Sequence, residues 1–144
     1  MHREYVLELP NDLRAIERAV NYLMARGREV GFDPSRLRLN LRVGVTEALA
    51  NAMLYGNSRD PHKRVRLEAR IAPDTVTVRI TDEGGGFDPG DVPDPTVHPY
   101  LDRAGGRGIF LIRKLMDRVE FNEAGNSITM VLHSPQRSQR PEAR

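Results

Sequence analysis

Arg36-Leu-Arg-Leu-Asn-Leu-Arg-Val-Gly-Val-Thr-Glu-Ala-Leu-Ala-Asn-Ala-Met53 admits two readings, and the fold depends on which one holds. Leu37, Leu39, Leu41, Val43 and Val45 alternate with Arg36, Arg38, Asn40 and Arg42, which is the period of a strand. Leu37, Leu41, Val45, Leu49 and Ala52 recur at the spacing of a helix. Three local signals favour the helix. Asp33-Pro34 supplies a capping carboxylate and a first-turn proline. Glu47–Met53 is rich in alanine, the best helix former. Gly56 follows as a stop. Gly44 inside the run costs up to about 1 kcal/mol.

Upstream, Arg3–Leu9 reads as a strand with Tyr5, Leu7 and Leu9 on one side, ended by Pro10. Asn11 or Asp12 caps a helix whose stripe is Leu13, Ile16, Val20, Leu23 and Met24, with its stop expected at Gly27. Downstream, Val65, Leu67, Ala69 and Ile71 face one way, and Arg64, Arg66, Glu68 and Arg70 the other. Pro73-Asp74 turns the chain, and Val76, Val78 and Ile80 then alternate with Thr75, Thr77, Arg79 and Thr81. This is a hairpin with one dry face and one wet face. Asp82 leads into Glu83-Gly84-Gly85-Gly86-Phe87. Asp88–Ala104 holds Pro89, Pro93, Pro95 and Pro99 and shows no period, so a long loop is expected there, of the kind that serves as a lid. Gly105-Gly106-Arg107-Gly108 opens a helix with the stripe Ile109, Ile112, Leu115, Met116 and Val119. Arg118–Glu123 and Ser127–His133 read as two closing strands.

At 144 residues the chain makes one domain, expected over 1–133, with 134–144 a disordered tail free of large apolar groups. The 29% charged fraction and the lack of any apolar run of about 18 residues exclude a membrane span. With no cysteine there is neither a disulfide frame nor a thiolate metal site, which suits the cytoplasm. The charged start Met1–Tyr5 is unlike a signal peptide. The net charge is only +2, and Glu68 and the threonines interrupt the arginines of the wet sheet face. A solvated face is therefore favoured there over a nucleic-acid surface. There is no P-loop, no Gly-x-Gly-x-x-Gly, no zinc spacing among the histidines at 2, 62, 98 and 133, and no hydrolase triad.

Three constellations carry chemistry. Glu47 and Asn51 are one turn apart on a helix and project together. The amide oxygen suits a hard cation such as Mg²⁺, and the carboxylate can accept a proton; a solvated polar face is the plain alternative. Asp82 followed by three glycines lets a flat or charged ligand approach the backbone, with a carboxylate able to accept from an amino group such as that of adenine. A simple bulge turn also fits that stretch. Gly106-Arg107-Gly108 exposes N–H groups at a helix start, which favours phosphate, with Arg107 and Arg103 adding charge. A glycine-rich helix start of no consequence fits as well.

As a set, the three resemble the superfamily of gyrase, heat-shock chaperone, histidine kinase and mismatch-repair ATPases. Glu47-Ala-Leu-Ala-Asn51 looks like its N box, Asp82-Glu-Gly84-Gly-Gly86 like its first glycine box, and Gly106-Arg-Gly108 like its second. Thr129 in Ser127-Ile-Thr129-Met matches the threonine of its last strand. The short stand-alone form is similar to the anti-sigma factor serine-protein kinases. The resemblance implies an α+β, Bergerat-type ATP-binding fold: a two-layer sandwich of about three helices on one mixed, largely antiparallel sheet, with a lid at about Asp88–Gly105. It further implies that Glu47 is the base activating a Ser or Thr hydroxyl, that Asn51 holds Mg²⁺, and that Asp82 binds the adenine amino group with support from Thr129. Gly84 and Gly86 would admit adenine and ribose, and Gly105, Gly106 and Gly108 would bring the third helix to the phosphates. The implied partners are a sigma factor and an anti-anti-sigma protein of STAS type, with no direct nucleic acid, no membrane and a homodimer. Tyr55-Gly56-Asn57 departs from the pattern, since many members carry His after the N box. An ATP-sensing module that grips a signalling partner without phosphotransfer is the alternative.

Overall fold

The computed structural model describes residues 2–85 and 106–135. The expected lid and residues 136–144 of the expected tail lie outside that range. Eight elements form two layers. Strand β1 (Arg3–Pro10) leads through a short 3-10 turn into helix α1 (Ile16–Glu29). Helix α2 runs unbroken over 34–56 as four consecutive stretches, Pro34–Arg36, Leu37–Leu41, Arg42–Asn51 and Ala52–Gly56. Strands β2 (Arg64–Ile71) and β3 (Thr75–Thr81) form the hairpin, followed by helix α3 (Gly106–Leu115) and strands β4 (Arg118–Phe121) and β5 (Ser127–His133). The sheet order is β1-β2-β3-β5-β4, and every pairing is antiparallel.

The ambiguous segment is helical, and its geometry explains the ambiguity. Leu37, Leu41, Val45, Leu49 and Met53 are all buried at a spacing of four. On a regular helix that spacing drifts roughly 40° per step. The Leu37–Leu41 and Ala52–Gly56 stretches are wide π turns that take up the drift. Leu39, which completed the apparent strand alternation, is 57% exposed.

Asp12 caps the 3-10 turn that leads into α1 and Asp33 caps α2, accepting from the Arg14 and Arg36 N–H groups at 2.9 and 3.0 Å. The stop expected at Gly27 is displaced. Helix α1 continues to Glu29 and ends in a Schellman arrangement around Gly31, whose φ is +80°. The Gly31 N–H donates to the Arg28 carbonyl at 3.0 Å and the Phe32 N–H to the Gly27 carbonyl at 3.0 Å, while Phe32 is buried. Gly27 instead admits helix α2, since a Cβ there would lie 2.7 Å from Leu37 Cδ2. Gly31→Ala is expected to cost about 1–2 kcal/mol by forcing a side chain into the left-handed region, read as a lower denaturant midpoint.

All three helices cover one face of the sheet. The core joins Leu23, Leu41, Leu49 and Ile112 to Leu67, Ile80, Met130 and Leu132. The opposite face is a lattice of cross-strand ion pairs, Arg66 with Glu8 at 2.9 Å, Arg70 with Glu4 at 3.0 Å and Arg79 with Glu68 at 3.4 Å. Arg66, Arg70 and Arg79 are thus each matched by a carboxylate rather than gathered into a basic patch. Ser134, first residue of the expected tail, is buried and donates its N–H to the Asp74 carbonyl at 2.9 Å, so order runs past the expected boundary.

Candidate active site

Glu47 and Asn51 lie on the Arg42–Asn51 stretch of α2, half-buried and one turn apart, while Gly44, Val45, Ala48 and Leu49 of that stretch are buried. Backbone covers the pair. Gly108, in the first turn of α3, is buried, and a Cβ built on it would lie 2.8 Å from Asn51 Nδ2 and 3.2 Å from both Asn51 Oδ1 and Glu47 Oε1. A side chain at 108 would thus push the Asn51 amide out of its place. Glycine at 108 therefore lets the start of α3 settle onto the acid–amide pair. The first-turn N–H groups of α3 have no acceptor within the helix and carry the positive end of its dipole. Arg107 is exposed in the same turn.

Asp82 forms the second cluster. Val76, Val78 and Ile80 are buried, and strand alternation carries Asp82 to the same, helix-covered face. Its main chain is held by Asn126, whose carbonyl accepts the Asp82 N–H at 2.9 Å. Its carboxylate packs on Gly56, where an added Cβ would collide with Oδ2, and Gly84 packs on the Gly56 carbonyl. The Gly84 N–H donates to Asp82 Oδ1 at 2.8 Å. Burial pushes the Asp82 carboxyl above the usual carboxylate range, although the Gly84 N–H and the Lys63 charge both pull it down. A half-dry carboxylate with acceptor capacity to spare suits a hydrogen-bond donor on a flat ligand.

One helix joins the two clusters. From Glu47 to Gly56 the axis of α2 advances roughly 14 Å at 1.5 Å per residue. The Glu47 carboxylate, the Asn51 amide and the seat of Asp82 thus follow one another along its last turns.

Thr129 stands outside this arrangement, and its expected support of Asp82 is corrected. Thr129 pairs with Arg79 on β3 and Glu120 on β4, and alternation places it on the ion-paired outer face. The β5 residue on Asp82's face is Ile128, opposite Ile80. Matching a residue type without the strand register misses by one position, and one position reverses the face. Gly86, Arg103 and Gly105 lie outside the described residues, and Gly106 is the first residue of α3.

Two residues at this site escaped the reading of the sequence as functional. Gly56 was legible only as a helix stop, yet it forms the floor under Asp82 and Gly84. Asn57 has no exposed surface; its Oδ1 accepts the Glu83 N–H at 2.7 Å, and its Nδ2 donates to Asn11 Oδ1 at 3.1 Å and to the Arg64 carbonyl at 3.0 Å. The departure at Tyr55-Gly56-Asn57 was the available signal.

Comparison with known proteins agrees with the geometry. A family model described as a histidine kinase-like ATPase domain matches residues 9–132. The anti-sigma F factor of Oceanobacillus iheyensis is 33% identical over 110 residues, 74% of this chain and 75% of that protein. The serine-protein kinase RsbW of Listeria innocua is 28% identical over 138 residues, 90% of this chain and 87% of that protein. Among solved structures, the RsbU and RsbW domains of a Mycobacterium tuberculosis protein superpose with a TM-score of 0.61 at 17% identity, over 90% of this chain. This chain spans 31% of that one, and the likeness concerns the fold.

Proposed function

Since the chain belongs to the histidine kinase-like ATPase domain family, we propose that it is an ATP-dependent anti-sigma factor and serine/threonine-protein kinase. It binds a sigma factor and phosphorylates an anti-anti-sigma partner of STAS type. The observation that supports this most is the seating of Gly108 on Glu47 and Asn51, which brings a helix start, a carboxylate and an amide oxygen together. Asp82, with Gly56 and Gly84 beneath it, takes the adenine amino group.

In this reading Glu47 accepts the proton of the partner's Ser or Thr hydroxyl as its oxygen bonds to the γ-phosphorus. The bond from that phosphorus to the β–γ bridging oxygen breaks, and ADP leaves. The N–H groups at the start of α3 hold the phosphates. The hard oxygen of Asn51 fits magnesium. Among the described residues no group of three or more His, Asp or Glu gathers, and Asn51 is the residue that would hold the ion. Bound there, the ion neutralises phosphate charge. No described helix is long and apolar enough to cross a membrane, and a sigma-factor partner places the action in the cytoplasm.

The test is incubation with ATP labelled at the γ-phosphate and a purified anti-anti-sigma protein. Label on a Ser or Thr of the partner is expected. Nucleotide-dependent capture without label would instead establish a regulatory binding module, and neither label nor capture would reject both.

A further inference from the structure

We propose that Asn57 is a positioning residue for adenine recognition, holding the turn that carries Asp82 through its hydrogen bond to the Glu83 N–H. The inference rests on the nucleotide reading above, in which Asp82 accepts from the adenine amino group.

The geometry around Asn57 is fully used. Its own N–H donates to the Ala52 carbonyl at 2.7 Å, closing the last wide turn of α2. Its side-chain nitrogen reaches Asn11, before α1, and the carbonyl of Arg64, which opens β2. Asn11 in turn donates to the carbonyls of Met53 at 3.2 Å and Asp60 at 3.0 Å. A buried polar network satisfied at every member is rigid, because any shift leaves a dry polar group unpaired.

Only one bond of Asn57 reaches the site. Oδ1 takes the Glu83 N–H at 2.7 Å, directly beside Asp82. On its other side Asp82 is held by its main-chain bond to Asn126. Pinned at both ends, the turn packs the Asp82 carboxylate on Gly56 and Gly84 on the Gly56 carbonyl, with no room for a Cβ at either glycine. Freed of Asn57, the Glu83 N–H must find another acceptor, Glu83 keeps only the side-chain bond that its Oε1 accepts from the Arg64 N–H at 3.1 Å, and the turn's main chain can lift away from Gly56. The carboxylate then leaves the place where it reads the base. The acceptor atom of Asn57 thus serves recognition, while its donor atoms serve the fold.

The experiment compares ATP with purine riboside triphosphate, which lacks the 6-amino group, by calorimetric titration of the full chain with magnesium. The unaltered protein should favour ATP by about tenfold or more, the range for a hydrogen bond to an ionised group. Asn57→Ala should bring that ratio to within about threefold of unity, while the analogue's affinity changes by less than about threefold. Asn57→Asp keeps an acceptor for Glu83 and should retain the preference. Asn11→Ala removes only a donor-side partner and should lower the melting temperature with the ratio intact. If Asn57→Ala weakens both nucleotides alike and leaves the ratio standing, Asn57 is structural and the proposal is overturned. Loss of the ratio in Asn57→Asp overturns it too, and decides the matter should Asn57→Ala fail to fold. An unaltered protein that binds both nucleotides equally would instead overturn the assignment of Asp82 itself.

Discussion

Glu47→Gln is expected to bind ATP as the unaltered chain does and to lose phosphotransfer by about 10²–10⁴-fold, the usual worth of a positioned base. The substitution conserves shape. It keeps the packing beneath Gly108, where a Cβ would meet the ends of Asn51 and Glu47. What disappears is the ability to take the hydroxyl proton. Initial rates of label transfer, set against ATP affinity measured separately, check the split. Undiminished transfer would remove Glu47 from the base role. A parallel loss of affinity would mean that the carboxylate holds nucleotide rather than accepting a proton.

Asp82→Asn should weaken ATP binding by about 10–100-fold, the worth of a hydrogen bond to an ionised acceptor, and yet raise the melting temperature of the nucleotide-free chain at neutral pH. The sign follows from the environment. Burial lifts the Asp82 carboxyl above the usual range, so the folded chain holds that proton to higher pH than the unfolded chain does. Its stabilising contribution is therefore complete in acid and is lost as pH rises through the elevated value, leaving the ionised group opposing the fold at neutrality. Asparagine keeps an acceptor for the Gly84 N–H, which lies 2.8 Å from Oδ1, and removes the charge. Melting temperatures across the acid range and calorimetric titration with ATP test both halves. A variant that melts lower at neutral pH and binds ATP as before would contradict this account. A carboxylate retained at a cost to the fold is what a ligand-reading group should look like.

What the sequence by itself determined was everything carried by short-range spacing. Alternation in Val65–Ile71 and Val76–Ile80 specified a hairpin with one dry face, because side chains on a strand must point to opposite sides. Asp33-Pro34 and the alanine-rich run specified a helix at 34–56 against a competing strand pattern, because caps and propensity act within a turn or two. The acid–amide pair and the glycine start of α3 were legible for the same reason. Tertiary structure alone decided which groups meet. Thr129 fell on the outer face because strand register depends on pairing with Arg79 and Glu120, which are distant along the chain. Gly27 and Gly44 were read as a stop and a penalty, yet each admits a neighbouring side chain, Leu37 or Met116. Gly56 and Asn57 became the floor and the clamp of Asp82 only once α2, β2 and β3 had packed together. Spacing is a property of one segment, whereas a contact between segments is set by the free energy of burying them against each other.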